Sequence, residues 1–157
     1  MSMIGLFLAV PQAELGALRA EPEEIEEFLS GPRGDDAFCV DKSWHAIHYL
    51  LTGSTVPVPG PLSNVVFGVG PLGNLDLGYG PPLCTDAADV KTIAAALEAV
   101  SDDAVQARFD PAAMDEVYPS FWDEEDALPI VMEALGELRA FYREAAAQGY
   151  AVITWLA

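Results

Sequence analysis

Positive charge is scarce in this sequence. Its 157 residues contain seven Lys and Arg against 25 Asp and Glu, which gives a formal net charge of −18 at pH 7. The cations are scattered and form no basic patch, so the chain lacks the charges that neutralise nucleic-acid phosphates or anionic lipids. We therefore expect no nucleic-acid or membrane partner, and the charge favours a basic protein as the partner.

Cysteine and long apolar runs are also in short supply. Two cysteines, Cys39 and Cys84, are too few for a disulfide framework, and we expect both to be reduced. No stretch approaches the length of a membrane span. The apolar start at residues 4–10 has no Lys or Arg before it and ends at Pro11, unlike a secretion signal. These absences predict a cytoplasmic protein.

The composition predicts a folded chain. Its hydrophobic content of 52% is too high for a disordered protein, and no linker or internal repeat divides the sequence. The length is close to the usual size of one domain. We therefore predict a single domain that covers residues 1–157.

Hydrophobic patterns predict an α+β fold. Continuous apolar runs at residues 4–10 and 150–156 are typical of buried strands. Helical periodicity covers residues 11–19, 22–29, 41–51, 90–100, 102–109 and 129–148, with Asp41 as a candidate N-cap. We predict a mixed sheet that includes both terminal strands and packs against several helices.

Residues 57–82 are rich in Gly and Pro and predict a long ordered loop, with one short strand or turn at residues 65–67. Gly68, Gly70 and Gly73 reproduce the glycine spacing of a dinucleotide-binding turn. That turn needs a helix to open at its third glycine, whereas Pro71 interrupts it and more Gly and Pro follow. We therefore predict no cofactor.

Two histidines, His45 and His48, stand three residues apart on the predicted helix, a spacing that allows two imidazoles to bind a metal. The cysteines that could complete such a site are isolated rather than paired as C-x-x-C. The helical wheel places His48 beside Trp44 on the apolar side. We therefore predict a packed, hydrogen-bonded His48 and no metal site.

The block from Asp41 to Gly53, D-K-S-W-H-A-I-H-Y-L-L-T-G, resembles the D-K-x-W-x-x-[IL]-H-x-x-L-T-G block of the YfbM-like family, domain of unknown function DUF1877. The Met3-Ile4-Gly5 opening and the Tyr118-Pro119 pair are similar as well. This resemblance implies an α+β domain of the bacterial cytoplasm with no established activity, and it gives Asp41, Lys42, Trp44 and His48 more weight than His45.

We expect a binding or interaction module with an acidic surface, which could mask a basic protein partner. Its candidate cleft combines apolar rings with polar tips at Trp44, His48, Tyr79, Tyr118 and Trp122. The alternative is a small enzyme in which His48 acts as acid and base, with Asp41 orienting it and Lys42 holding an anion. The two hypotheses differ in whether His48 opens into a pocket, and the sequence leaves the oligomeric state open.

Overall fold

The fold is organised around the two terminal strands. The computed structural model describes residues 2–120 and 122–157. Strands β1 (Gly5–Pro11) and β5 (Tyr150–Leu156) pair along their whole length. With β2 (Phe38–Asp41), β3 (Gly70–Pro71) and β4 (Leu83–Thr85) they form a five-stranded sheet in the order β2-β1-β5-β4-β3. The predicted α+β fold with both terminal strands in the sheet is confirmed.

The sheet is antiparallel at every described strand pair, where we expected a mixed sheet. Continuous apolar strands are typical of parallel sheets, because those sheets are covered on both faces. Here helices cover both faces of an antiparallel sheet, so β1 and β5 have no solvent face that would require polar residues at alternate positions.

Helices make up most of the rest of the described chain. They are α1 (Gln12–Ala20), α2 (Ile25–Ser30), α3 (Pro32–Asp35), α4 (Trp44–Thr52), α5 (Pro61–Phe67), α6 (Ala87–Ala99), α7 (Asp102–Ala107) and α8 (Ala127–Gln148), with short 3-10 helices at Pro22–Glu24 and Pro111–Ala113. The long predicted helix at the end of the chain is present as α8, and Gly149 ends it in the left-handed conformation with φ 71°.

Alternate residues of the central strands enter two separate hydrophobic cores. Phe7 and Val152 belong to the larger core, which they share with α4, α5, α6 and α8. Leu8 and Ile153 belong to the smaller core beneath α1 and α2. The alternation of side chains along a strand therefore divides the apolar residues of β1 and β5 between two helical layers.

Two local predictions are wrong. Residues 65–67 end helix α5 and do not form a strand or turn, because Pro61 suits the first helical position and Gly68, with φ 64°, provides the left-handed end. Asp41 does not cap α4. It is the last residue of β2, has φ 53°, and is followed by a turn before the helix begins at Trp44.

Candidate functional site

Helix α4 packs directly on strand β1, and Gly5 makes this approach possible. A Cβ atom at Gly5 would lie 2.8 Å from the Cβ of Trp44 and 3.1 Å from a methyl carbon of Val40. Real Cβ contacts are longer, so a side chain here would push the helix away from the sheet. The glycine of the Met3-Ile4-Gly5 opening and the tryptophan of the family block therefore form one packing unit.

Trp44 also ties the start of the described chain to a distant loop. Its indole Nε1 donates a hydrogen bond of 3.0 Å to the carbonyl of Met3, and the Met3 amide donates one of 2.9 Å to the hydroxyl of Tyr118. The Trp44 and Tyr118 rings stack with their centroids 5.9 Å apart. Trp44 is buried, so these contacts make it a structural anchor.

His45 joins the same cluster, although the family resemblance favoured His48. Its Nδ1 accepts a hydrogen bond of 2.9 Å from the Tyr118 amide, so this nitrogen carries no proton. Its Nε2 therefore donates to the carbonyl of Thr55 at 2.8 Å. The ring connects α4 to two loops that are remote from each other in sequence.

His48 is sealed inside the protein, with no exposed surface. Its Nε2 lies 2.8 Å from the carbonyl of Val56 and donates to it, whereas its buried Nδ1 has no hydrogen-bond partner among the described residues. The Phe67 ring meets the imidazole edge to face at 4.6 Å. Burial lowers the pKa of His48 from its usual value, because a charged ring here would lose its hydration.

The acid and base arrangement that the sequence allowed is not assembled around His48. Asp41 ends β2 and Lys42 lies on the turn before α4. Both are exposed, and neither side chain is a hydrogen-bond partner of His48 in the described part of the chain. The exposed Asp41 carboxylate does not orient the imidazole, which instead meets a backbone carbonyl and a phenyl ring. Substrate cannot reach a ring without exposed surface.

The two remaining candidates lie in different places. Trp122 donates its indole hydrogen bond to the carbonyl of Val117 at 2.8 Å and lines a shallow depression with Asp115 and Asp123. Tyr79 lies at the mouth of a small cavity of about 90 Å³ whose wall includes Phe67.

Of the seven predicted site residues, only Trp44 and Tyr118 are in ring contact. Phe67, which was not predicted, connects this cluster to His48 and to the cavity of Tyr79.

A surface that sequence reasoning missed lies beside this cluster. Among the described residues, no charged side chain lines three adjoining concavities: a groove of about 600 Å³ between α5 and the end of α6, a second of about 470 Å³, and the 90 Å³ cavity. The two grooves share Val58, Pro59 and Ser63, and the second groove shares Phe67 and Leu83 with the cavity. We call the surface formed by these three concavities the neutral face.

The sequence contains a signal for the neutral face. Between Ser43 and Thr85, Asp76 is the sole residue of the Asp, Glu, Lys and Arg types, whereas the rest of the chain is rich in them. In the described residues four of the five exposed large apolar side chains fall in this segment, at Val56, Val69, Leu75 and Tyr79, and the fifth is Ile130 on α8.

The described residues contain no cluster of three or more His, Cys, Asp or Glu side chains that could hold a metal. Cys39 is exposed and Cys84 is buried, and both are free thiols, as predicted. None of the described helices has the length and apolar character to cross a membrane.

Comparison with known proteins gives a family. The chain matches the model of a domain of unknown function, DUF1877, over residues 1–155. It is similar in fold to the crystal structure of YfbM from Escherichia coli, a protein of unknown function, with a TM-score of 0.79, 24% sequence identity, and coverage of 98% of this chain and 99% of that chain. No curated protein matches. A match over nearly all of the sequence shows that this chain belongs to the DUF1877 family.

Proposed function

We propose that this protein is an interaction module that binds a basic protein partner. The observation that carries this proposal is the excess of carboxylates without a cation. In the described residues four arginines pair with acidic side chains, as Arg19–Asp86, Arg33–Glu14, Arg139–Asp102 and Arg143–Glu98. The chain has 25 acidic residues, so most of its negative charge is left for an external partner.

Carboxylates are crowded around the short 3-10 helix Pro22–Glu24. Glu24 lies close to Glu21, and a hydrogen bond with this neighbour and its negative charge raise the pKa of Glu24. A partner that brings Lys or Arg to such a surface relieves repulsion between like charges and is guided to it by long-range attraction. This supports binding of a basic partner over binding of an anion.

The alternative function, a small enzyme that uses His48, has no observation in its favour. Its histidine has no exposed surface and donates to a backbone carbonyl. Asp41, at the end of β2, and Lys42, on the turn that follows, are both exposed. We therefore propose binding alone.

Selection from a random peptide library displayed on phage tests this function. We expect the enriched peptides to carry net positive charge, and we expect their affinity to fall several-fold between about 50 mM and about 300 mM salt, because screening weakens the attraction. A library with Lys and Arg replaced by Gln is the matched control and should yield no binders of similar affinity. Enriched peptides that are neutral or acidic, or that bind equally at both salt concentrations, would contradict the proposal.

A further inference from the structure

We infer that the neutral face is the docking surface of this module, and that it takes an apolar peptide segment flanked by Lys or Arg. This inference rests on the proposed function and specifies which part of the surface the partner covers. A chain with a net charge of −18 has three adjoining concavities without a charged lining residue. Large apolar side chains exposed at one place mark interaction sites in soluble proteins.

The neutral face is held rigid before any partner arrives. The hydroxyl of Ser63 on α5 accepts a hydrogen bond from the Val58 amide at 3.0 Å, which fixes the segment shared by the two grooves. The carbonyls of Thr55 and Val56 accept hydrogen bonds from His45 and His48. A surface fixed in this way loses little conformational entropy when it binds.

The turn that carries Tyr79 is fixed as well. One carboxylate oxygen of Asp76 accepts hydrogen bonds from the amides of Gly78 and Gly80, at 2.7 and 2.9 Å. These two contacts lower the pKa of Asp76, so the carboxylate stays ionised and holds the turn. The single charge of the segment therefore has a structural role and leaves Tyr79 at the mouth of the small cavity.

The size of the concavities indicates how the segment is held. The cavity beside Tyr79 has a volume of about 90 Å³, which is less than the cavity of about 150 Å³ that accepts a benzene molecule. It therefore suits one aliphatic side chain, and further apolar residues of the segment would lie along the two open grooves. A few deeply inserted side chains usually provide most of the energy of such an interface.

Negative charge at the edges of the neutral face favours Lys or Arg on either side of the bound apolar segment. Asp76 lies three residues before Tyr79, and the exposed Asp103 lies three residues after Val100, which lines the wide groove. Lys or Arg on either side of the apolar residues would meet these carboxylates. A second copy of this chain fits poorly, because each copy brings the same negative charge to the margins.

Three matched substitutions test the location. Val69→Asp and Tyr79→Asp place a charge on the neutral face, and Ile130→Asp places the same charge at an exposed apolar residue of α8. All three side chains are exposed, so each variant should fold. With peptides selected from the phage library as probes, we expect Val69→Asp and Tyr79→Asp to weaken binding by about tenfold or more and Ile130→Asp by less than about twofold.

The outcomes separate this inference from the proposed function. If basic, salt-sensitive peptides bind all three variants as tightly as the original protein, the module is retained and the neutral face is wrong as its site. If selection enriches no basic peptides, the proposed function fails first. Sedimentation that shows a stable dimer broken by Val69→Asp would overturn the inference, because a second copy would then cover the face.

Discussion

Helix α4 and the neutral face are neighbours in the chain and both lack charge, but for opposite reasons. In α4 the apolar residues are buried in the larger core, where the helix packs mainly against α5, and even His48 has no exposed surface. On the neutral face Val69 and Tyr79 are exposed. Absence of charge in a sequence can therefore indicate either a core element or a recognition surface, and burial decides between them.

The two regions are also coupled. His45 and His48 belong to α4, but their Nε2 atoms bind the carbonyls of Thr55 and Val56, which precede the segment that lines both grooves. The family block thus shapes the neutral face, and its last residues, Leu51 and Thr52, line the wide groove. A substitution in α4 can alter binding by displacing this segment, whereas a substitution on the face should leave the fold unchanged.

The largest expected effect is the difference between the two regions in how much a substitution lowers the free energy of unfolding. We expect Trp44→Ala to lower the free energy of unfolding by about 3 to 5 kcal/mol, because the buried indole packs on Gly5, stacks on Tyr118 and donates to Met3. Tyr79→Ala, an exposed aromatic residue of the neutral face, should change it by about 0.5 kcal/mol or less. Urea unfolding measures both, and equal losses would remove the distinction between anchor and surface.

Much of the fold follows from local patterns, and the site does not. The strands at both ends of the chain were predicted within one residue, because a nearly continuous apolar run of seven residues is typical of a buried strand. Helix α5 was missed, because its apolar run at residues 65–67 is too short to show a helical period. Strand β2 was missed for a similar reason, since it has four residues and only Val40 is buried.

The contacts of the candidate site depend on tertiary structure. The sequence placed His48 on the apolar side of its helix, as the structure shows, but nothing local indicates that His45 meets the Tyr118 amide, 73 residues away. The candidate cleft was assembled from residue types, and Tyr79 and Trp122 lie apart from Trp44 because long-range packing fixes their positions. Charge distribution along the chain was the better guide to an exposed site.

The next effect concerns the approach of α4 to β1. We expect Gly5→Ala to cost about 1 to 3 kcal/mol, since the added methyl group would lie 2.8 Å from the Trp44 Cβ and the helix would have to move. Gly70→Ala is the matched control, because that strand glycine has no atom within 4 Å of an added Cβ. If the two variants unfold at the same urea concentration, α4 is free to shift and does not anchor the sheet.

A smaller effect should appear with pH. Burial lowers the pKa of His48 below its usual value of 6.5, so the unfolded chain takes up a proton that the folded protein resists. Stability is therefore present above the usual pKa and is lost as the pH falls toward the lowered one. His48→Gln has no ring to titrate, and its amide can donate to the Val56 carbonyl.

The difference between the pH profiles of the original protein and of His48→Gln isolates the contribution of His48 from that of the many carboxylates. His45 is the other titratable group that lowers the pKa of His48, and it is present in both proteins. We expect the original protein to lose more stability than His48→Gln between about pH 7.5 and about pH 5.5 in urea unfolding. Parallel pH profiles would show that the folded protein accepts the proton, and His48 would then not be sealed.

The smallest effect lies where the core meets the neutral face. Thr85 and Thr154 have buried hydroxyls without a hydrogen-bond partner, and Thr154 also lines the small cavity. The register pairs Leu83 with Thr154 and Thr85 with Val152, so the two threonines are diagonal neighbours on one side of the sheet.

Valine keeps the shape of threonine and removes the buried hydroxyl, so Thr85→Val and Thr154→Val should each raise the free energy of unfolding by about 1 kcal/mol. Thr92→Val, at an exposed position of α6, is the control and should be neutral within about 0.5 kcal/mol. A loss of stability in Thr154→Val alone would mean that its hydroxyl has a partner in the folded protein, and the cavity would then belong to the polar structure of the core rather than to the apolar neutral face.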